Sequence, residues 1–237
     1  MKTILGKKSP TKFYCFSPQV MVLTFVAEML LVMYVLVRRG YQSVEHRIVV
    51  VLLLLLAIFQ LSEYGVCEGL ALDSIVWSRI GFVSITMLPP LGLHLIQLVR
   101  GDKSKNIAHI GYFLSLVFVV AFTFFDSFAS VGCQGNYAIF QVRQGLGGAY
   151  FTYYYLLLIL GAVMAYTGWS KSKETARGKM LLLIGLGYAS FVLPATFIHF
   201  VFESVSNGLP SIMCGFALIF AAILGTVVAN RLPTDKD

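Results

Sequence analysis

Seven long apolar runs fill most of this 237-residue chain, and no other feature limits its fold as much. A helix needs roughly 20 apolar residues to cross the hydrocarbon core of a bilayer, and stretches of that length recur between short polar segments. Hydrophobic residues make up 58% of the chain and charged residues only 12%, well below the charged share of soluble domains. The sequence therefore predicts an all-α, polytopic membrane protein that is surrounded by the lipid bilayer.

The predicted architecture is a single seven-helix transmembrane domain over residues 1–237. The spans lie near 18–37, 48–67, 78–99, 107–125, 149–168, 180–202 and 211–230. The longest gap between them, 126–148, leaves no room for a separate soluble domain. It contains the alternating stretch Tyr137–Val142 near Gly135, which predicts a short β-hairpin between the fourth and fifth helices.

The distribution of lysine and arginine predicts the orientation, because short loops rich in these residues stay in the cytoplasm. The first, third and fifth loops and the C-terminal tail carry most of them: Arg38, Arg39, Arg47, Arg100, Lys103, Lys105, Lys171, Lys173, Arg177, Lys179, Arg231 and Lys236. The alternate loops contain only Arg79 and Arg143. We therefore expect the N-terminus outside and the C-terminus inside the plasma (inner) membrane, although the lysines before the first span favour the opposite orientation.

Short motifs mark the ends of the first two spans. Cys15-Phe16-Ser17-Pro18-Gln19 opens the first span, and Phe59-Gln60-Leu61-Ser62-Glu63-Tyr64 closes the second. They resemble an uncharacterised prokaryotic seven-helix membrane family that begins with Cys-Phe-Ser-Pro and carries Gln-Leu-x-Glu in its second helix. The Ser17-Pro18 pair also has a local explanation, since serine is a preferred helix N-cap and proline suits the first helical position.

A second set of motifs covers more of the chain. Trp77-Ser78-Arg79-Ile80-Gly81 is followed by Leu88-Pro89-Pro90, and Gly145-Leu146-Gly147-Gly148 precedes a tyrosine-rich fifth helix. These segments are similar to the seven-helix sensor region of bacterial histidine kinases, which implies a receptor-like function. No kinase or other output domain is expected after the seventh helix, so a sensor of this kind would signal through a separate partner protein.

A few polar and ionisable groups lie inside the apolar spans, where such groups are rare and usually face the interior of the bundle. Glu63 and Cys67 are four residues apart and share one helix face, and His199 and Glu203 have the same spacing. With the predicted orientation both pairs lie in the outer half of the membrane, and Glu28 lies somewhat deeper. The predicted ligand pocket comprises Glu28, Gln60, Glu63, His199 and Glu203.

The same region of the sequence contains the residue types of a metal site. A histidine, two carboxylates and a thiolate suit zinc or another divalent transition metal. The candidate ligands are Glu63, Cys67, His199 and Glu203. The alternative is structural, because a protonated glutamate that is hydrogen-bonded to a neighbouring serine or tyrosine would hold helices together without any chemistry.

All four cysteines map to the outer half or the outer surface, where oxidising conditions permit disulfides. The first candidate pair is Cys67 with Cys133, because one lies at an outer helix end and the other in the long outer loop. A bridge between them would exclude Cys67 as a metal ligand. For Cys214, a free buried thiol is the alternative to a bridge.

Prolines and histidines near the third span are expected to have structural roles. Pro89 and Pro90 remove backbone donors and should kink the helix, which frees carbonyls inside the bundle. His94 follows this kink and is expected to be packed and hydrogen-bonded. His46 and His109 fall at the predicted cytoplasmic boundary, where solvated roles suffice.

The predicted fifth helix begins with a tyrosine-rich segment. Its members are Tyr150, Tyr153, Tyr154 and Tyr155. An aromatic belt at the membrane interface explains them, and the alternative is that one or two line the ligand pocket.

Three functions fit this sequence. The leading hypothesis is a sensor that binds a small ligand or a metal ion in the outer-half pocket. A metal-dependent hydrolase acting on a lipid-like substrate ranks lower, since the chain has only four histidines. The third hypothesis is a small proton- or cation-coupled transporter that uses Glu28 and Glu63, although no repeated halves are visible.

Two partners are not expected. A retinal Schiff base needs a lysine in the seventh span, and 211–230 contains none. Lipid headgroups beside the basic loops explain the net charge of +7 without a nucleic-acid partner.

Overall fold

The computed structural model of this protein describes residues 18–39, 43–134, 137–201 and 209–231. Its elements are α1 (Pro18–Arg39), α2 (Val44–Glu68), α3 (Ser74–Thr86), α4 (Leu88–Arg100), α5 (Asn106–Phe124), β1 (Phe128–Gln134), β2 (Tyr137–Val142), α6 (Leu146–Lys171), α7 (Ala176–Val201), α8 (Leu209–Ala222), a π-helical segment (Ile223–Val228) and α9 (Ala229–Arg231). Each predicted span coincides with one helix or with consecutive helical segments. The motif residues Cys15, Phe16 and Ser17 lie outside the described residues, and so does Glu203.

The lengths and compositions of these helices are those of a multi-pass membrane protein. Six helical stretches are long and apolar enough to cross a membrane, and α3 and α4 together form one of them. In the seventh predicted span the apolar helix Phe216–Thr226 is shorter. The all-α bundle predicted from the sequence is therefore confirmed, together with a small two-stranded sheet.

The stretches α2 and α3–α4 form the centre of the bundle. In their most apolar windows 67% and 72% of the residues are buried, against 28% in α1 and 22% in α5. The outer helices expose large apolar side chains such as Leu23 and Phe113. An outer ring of this kind is the surface that a bilayer solvates, because lipid accepts apolar side chains that water would not.

The kink predicted in the third span is confirmed as a break at Met87 between α3 and α4. Pro90 has no backbone N–H to donate to the carbonyl of Thr86, its partner in a regular helix. The hydroxyl of Tyr153 donates to that carbonyl instead, at 2.7 Å. The prolines therefore create a buried acceptor that links α3 to α6.

Close packing joins α2 to α3, because small residues stand where the two helices meet. A Cβ atom on Gly65 would lie 2.4 Å from the ring of Trp77, and one on Gly81 would lie 2.3 Å from Oγ of Ser62. The indole N–H of Trp77 also donates to the carbonyl of Leu70 at 2.7 Å. The ring is therefore held in place over Gly65.

We expect Gly65→Ala to lower the free energy of unfolding by about 1–3 kcal/mol, because the added methyl group overlaps a ring that is fixed by its hydrogen bond. The matched control is Gly185→Ala, where the nearest atom to the new Cβ is Cβ of Ala165 at 3.7 Å. This control should be neutral or stabilising by up to about 1 kcal/mol. Thermal unfolding in detergent micelles measures both variants, and equal losses would contradict the prediction.

The predicted hairpin is confirmed, and its second strand is the alternating stretch Tyr137–Val142. The strands β1 and β2 are antiparallel, with Cys133 opposite Ala138 and Val131 opposite Phe140. Phe140 is buried, and its ring packs against Phe59 of α2 and Phe82 of α3 at centroid distances of 6.0 and 5.4 Å. The hairpin therefore covers the end of the bundle at which α2 finishes and α3 begins.

The expectation of a solvated His46 is wrong. The side chain is fully buried, with one ring nitrogen 2.8 Å from Oγ of Ser43 and the other 3.0 Å from the carbonyl oxygen of Ala229. A buried imidazole with a partner on each nitrogen acts as a structural link. It ties the first turn of α2 to α9, at the opposite end of the bundle from the hairpin.

Candidate functional site

Glu28 lies in the buried stripe of α1. The buried residues of this helix are Met21, Thr24, Glu28, Val32 and Val35, spaced by three or four residues. Side chains with this spacing lie on one face of a helix, and this face of α1 is turned toward the bundle. The carboxyl group of Glu28 is therefore held inside the protein and away from lipid, with a relative exposure of 0%.

Gln60 and Glu63 bring two further polar groups into the core from α2. They are 3% and 1% exposed. With Leu52 and Leu56 they follow one another at intervals of three or four residues and form one stripe of the helix. This stripe is apolar in the middle of α2 and becomes polar near the end of the helix that carries Cys67.

The carboxyl groups of Glu28 and Glu63 lie close enough to interact electrostatically across the contact between α1 and α2. Within the described parts of the chain, no hydrogen-bond donor reaches either oxygen of Glu28, and Nε2 of Gln60 has no acceptor. Two neighbouring carboxyl groups in a medium of low dielectric constant strongly disfavour a second negative charge. The arrangement therefore provides acceptor oxygens for a proton, a metal ion or a donor group of a ligand.

An apolar cavity borders the same stripe of α2. It has a volume of about 30 Å³ and lies between α2, α4, α6, α7 and α8. The lining residues are Leu52, Leu56, Leu88, Tyr154, Leu158, Tyr188, Phe191, Ala217 and Phe220. A cavity of this size holds about one water molecule, and Glu28, Gln60 and Glu63 are not among its lining residues.

The tyrosines of α6, which is the predicted fifth span, do not form the predicted aromatic belt. Tyr150 and Tyr153 are buried, and Tyr154 lines the cavity. The expectation of an interfacial belt is wrong for the first two. Tyr154 lines the apolar cavity, which none of Glu28, Gln60 and Glu63 lines, so its place in the predicted ligand pocket stays a prediction. Tyr188 lines the cavity from α7 and was not predicted, because a single tyrosine within an apolar span carries no distinctive pattern.

Cys67 and Cys133 form a disulfide, with their Cα atoms 5.0 Å apart. This is the pairing that the sequence analysis placed first, and it joins the end of α2 to β1. A sulfur in a disulfide has no thiolate to offer a metal. Cys67 is therefore excluded from the predicted metal set, which is a correction to the sequence interpretation.

The structure describes only some of the remaining predicted ligands. His199 lies in α7, but its side chain is outside the described part of the structure, and Glu203 lies in the segment 202–208, which is also outside it. Among the side chains that are described, no group of three or more histidine, cysteine, aspartate or glutamate residues is placed to hold a metal ion. The structure thus brings together Glu28 and Glu63, with Gln60 one helical turn from Glu63.

His94 belongs to a separate contact. One nitrogen of its ring is 3.1 Å from the hydroxyl of Tyr112, and the two rings meet edge to face at 5.9 Å. This agrees with the expectation of a packed, hydrogen-bonded histidine. The contact links α4 to α5 and leaves His94 outside the candidate site.

No protein-family model matches the chain, and no curated protein matches it either.

Proposed function

We propose that this protein is a membrane-embedded, receptor-like protein that binds a small ligand or a metal ion at the site formed by Glu28, Gln60 and Glu63. The observation that carries the proposal is the fully buried carboxyl group of Glu28, which receives no hydrogen bond from the described residues and lies within electrostatic range of Glu63. A buried polar group without a partner costs about 1–3 kcal/mol, and a charged group costs more. Such a cost is commonly retained where the group has a function.

The ligand that fits this site carries a positive charge or several N–H or O–H donors. Two carboxyl groups and the oxygen of an amide are acceptors, so an ammonium group or a hard metal ion satisfies them. A softer ion such as zinc would bind Glu63 with His199 and Glu203, without the thiolate of Cys67.

The proposal includes the orientation predicted from the sequence, with the N-terminus outside the plasma membrane. The disulfide supports it, because Cys67 and Cys133 then face the oxidising side. The basic loops at the other end, which contain Arg100 and Lys171, then lie in the cytoplasm. In this orientation the site is in the outer half of the membrane, and the signal passes to a separate partner protein, as the resemblance to the sensor regions of histidine kinases implies.

A small proton- or cation-coupled transporter is the second candidate, and one observation favours it. The π-helical segment packs beside α1, since a Cβ on Gly225 would lie 3.2 Å from Cδ2 of Leu31, one turn after Glu28. A π-helical segment disrupts regular helix hydrogen bonding and is frequent at functional sites. The hydrolase remains a prediction that depends on His199 and Glu203.

The binding proposal predicts that Glu28→Gln abolishes stabilisation by ligand. The test measures the unfolding temperature of the protein in nanodiscs with zinc chloride, calcium chloride or a panel of small organic amines. A probe present at a hundred times its Kd stabilises the wild type by about 2.7 kcal/mol. The introduced amide has the same shape as the carboxyl group of Glu28 but only one acceptor oxygen and no charge, so we expect the stabilisation to be lost.

The matched control is Glu174→Gln, which changes the same group on the exposed turn between α6 and α7. It should keep the full response of the wild type. If no probe stabilises the wild type, or if both variants respond like it, the Glu28 site is structural and the proposal is wrong. Proton or cation flux into liposomes that depends on Glu28 would favour the transporter over the receptor.

A further inference from the structure

A cleft of about 390 Å³ opens at the end of the bundle where α4 finishes and where α6 turns into α7. Glu63 lies near the opposite end of α2, so this cleft is separate from the site described above. Charged and hydroxyl-bearing residues dominate its lining: Arg100, Asp102, Lys171, Ser172, Thr175 and Arg177. Three cations against one carboxylate leave the cleft with net positive charge.

Arg100 is fixed as the floor of the cleft. Its Nη1 donates to the carbonyl of Met164 at 3.0 Å and to the hydroxyl of Thr167 at 3.3 Å, and its Nε is 3.3 Å from a carboxylate oxygen of Asp102. Because Asp102 offsets this guanidinium, the excess charge of the cleft comes from Lys171 and Arg177.

Lys171 and Arg177 stand on two sides of the cleft, one at the end of α6 and the other in the first turn of α7. Both side chains are exposed, and neither forms an ion pair with any residue that the structure describes. Nη1 of Arg177 lies over the turn at Gly101, where an added Cβ would be 3.2 Å from it. The two cations therefore remain available to a bound anion.

The hydroxyl groups of the cleft are already engaged with the backbone. Ser172 donates to the carbonyl of Gly168 at 2.8 Å, and Thr175 donates to the carbonyl of Ser172 at 2.8 Å while accepting from the N–H of Gly178 at 3.0 Å. These bonds make the turn between α6 and α7 rigid. The backbone positions from which Lys171 and Arg177 extend are therefore fixed before any ligand arrives.

The residues beside the cleft are typical of the interface between bilayer and water. The helices that form it end here, and Tyr166 and Trp169 stand on α6 just before Lys171, with ring centroids 5.7 Å apart. Trp169 also lies 5.3 Å from the ammonium group of Lys173. Tyrosine and tryptophan concentrate at the interface between bilayer and water.

We propose that this cleft is a binding site for a phosphate group, with Lys171 and Arg177 as its principal ligands. A guanidinium fork and an ammonium group are the side chains that bind phosphate oxygens, and the guanidinium of Arg100, offset by Asp102, lies below them. The phosphate belongs either to the headgroup of an anionic lipid or to a soluble phosphorylated compound. The chemistry is the same in both cases, and the source is decided by experiment.

The test measures binding of phosphatidylglycerol and phosphatidylcholine to the detergent-purified protein by native mass spectrometry. We expect the wild type to bind phosphatidylglycerol more tightly. The double variant Lys171→Gln, Arg177→Gln should lose about tenfold or more in this affinity, because it removes two charge-assisted contacts. The matched control Lys103→Gln, Lys179→Gln removes the same charge from exposed positions outside the cleft and should change the affinity less than twofold.

Inorganic phosphate separates the two sources. If it stabilises the wild type in phosphatidylcholine nanodiscs and displaces phosphatidylglycerol, the site takes a soluble phosphate compound. If inorganic phosphate neither stabilises the wild type nor displaces phosphatidylglycerol, while the double variant has lost affinity for this lipid, the site takes a lipid headgroup. Each single substitution is measured as well, so that a folding defect in the double variant does not prevent a result.

Equal losses in the cleft variant and in the control variant would overturn the proposal, because the binding would then reflect the overall charge of this end of the protein. Equal binding of the two lipids by the wild type would overturn it as well, unless inorganic phosphate binds in the cleft.

Discussion

Replacing Glu28 with methionine is expected to stabilise the protein while abolishing ligand binding. The free energy of unfolding should rise by about 1–4 kcal/mol, as in other proteins where well-packed apolar residues replace buried ionic groups. The reason is that Glu28 places two oxygens in the core without a hydrogen bond from the described residues and close to a second carboxyl group. Methionine has similar length and no polar atom to desolvate.

A matched substitution at another buried polar residue should lower the free energy of unfolding. Gln97 is also buried, but its Nε2 donates to the carbonyl of Ser104 at 3.2 Å and its Oε1 accepts from the N–H of Ala108 at 3.1 Å. Gln97→Met breaks both bonds and leaves backbone groups unpaired, so we expect a loss of about 1–3 kcal/mol. Chemical unfolding in mixed micelles measures both variants.

A destabilised Glu28→Met variant would mean that Glu28 has a structural partner in the folded protein, and the proposed site would lose its main support. A more stable variant that still binds the probe would place the binding site elsewhere. The prediction therefore distinguishes a functional carboxyl group from one that only holds α1 against α2.

Removing the disulfide is the second change with a large expected effect. The double variant Cys67→Ala, Cys133→Ala should lose about 2–4 kcal/mol of stability, the usual contribution of a disulfide. The bridge spans 66 residues and fixes the hairpin to the end of α2. Without it we also expect faster amide hydrogen exchange in β1 and β2, because among the described residues the two strands pair only with each other and a two-stranded sheet is marginal by itself.

The control for this experiment is Ser130→Ala. It removes a hydrogen bond of 2.8 Å from Ser130 to the side chain of Gln141 on the exposed face of the hairpin and leaves the disulfide intact. Its stability should stay within about 0.5 kcal/mol of the wild type. If the cysteine variant behaves like this control, the packing of Phe140 on Phe59 and Phe82 holds the hairpin without the disulfide.

Several features of the fold were predictable because they depend on local sequence. The hairpin is one example, since the alternation over Tyr137–Val142 and the nearby Gly135 mark a strand and a turn without knowledge of their neighbours. The break near Pro89 is another, because a missing N–H acts on its own helix. The hydroxyl of Tyr153, which donates to the carbonyl of Thr86 in place of the missing N–H, lies 67 residues after that carbonyl and could not be read from the sequence.

The errors have a common physical cause. His46 was expected in solvent because it stands at the start of a span, yet the carbonyl of Ala229, 183 residues later, covers it. Tyr150 and Tyr153 were assigned to an interfacial belt because they begin a helix, yet α3 and α5 pack over their rings and bury them. Position along a span gives depth in the membrane, but burial depends on which helix lies opposite.

The amino-acid sequence alone determined that the chain is a bundle of membrane-spanning helices and where each helix runs, because a bilayer accepts only long apolar segments with internally satisfied backbones. It also identified Glu28, Gln60 and Glu63 as groups that lipid would reject. Only the tertiary structure decided that Glu28 and Glu63 lie within electrostatic range of each other while His94 stays apart. That outcome depends on the rotation of each helix about its axis and on its choice of neighbours, which are set by close packing such as that of Gly65 on Trp77.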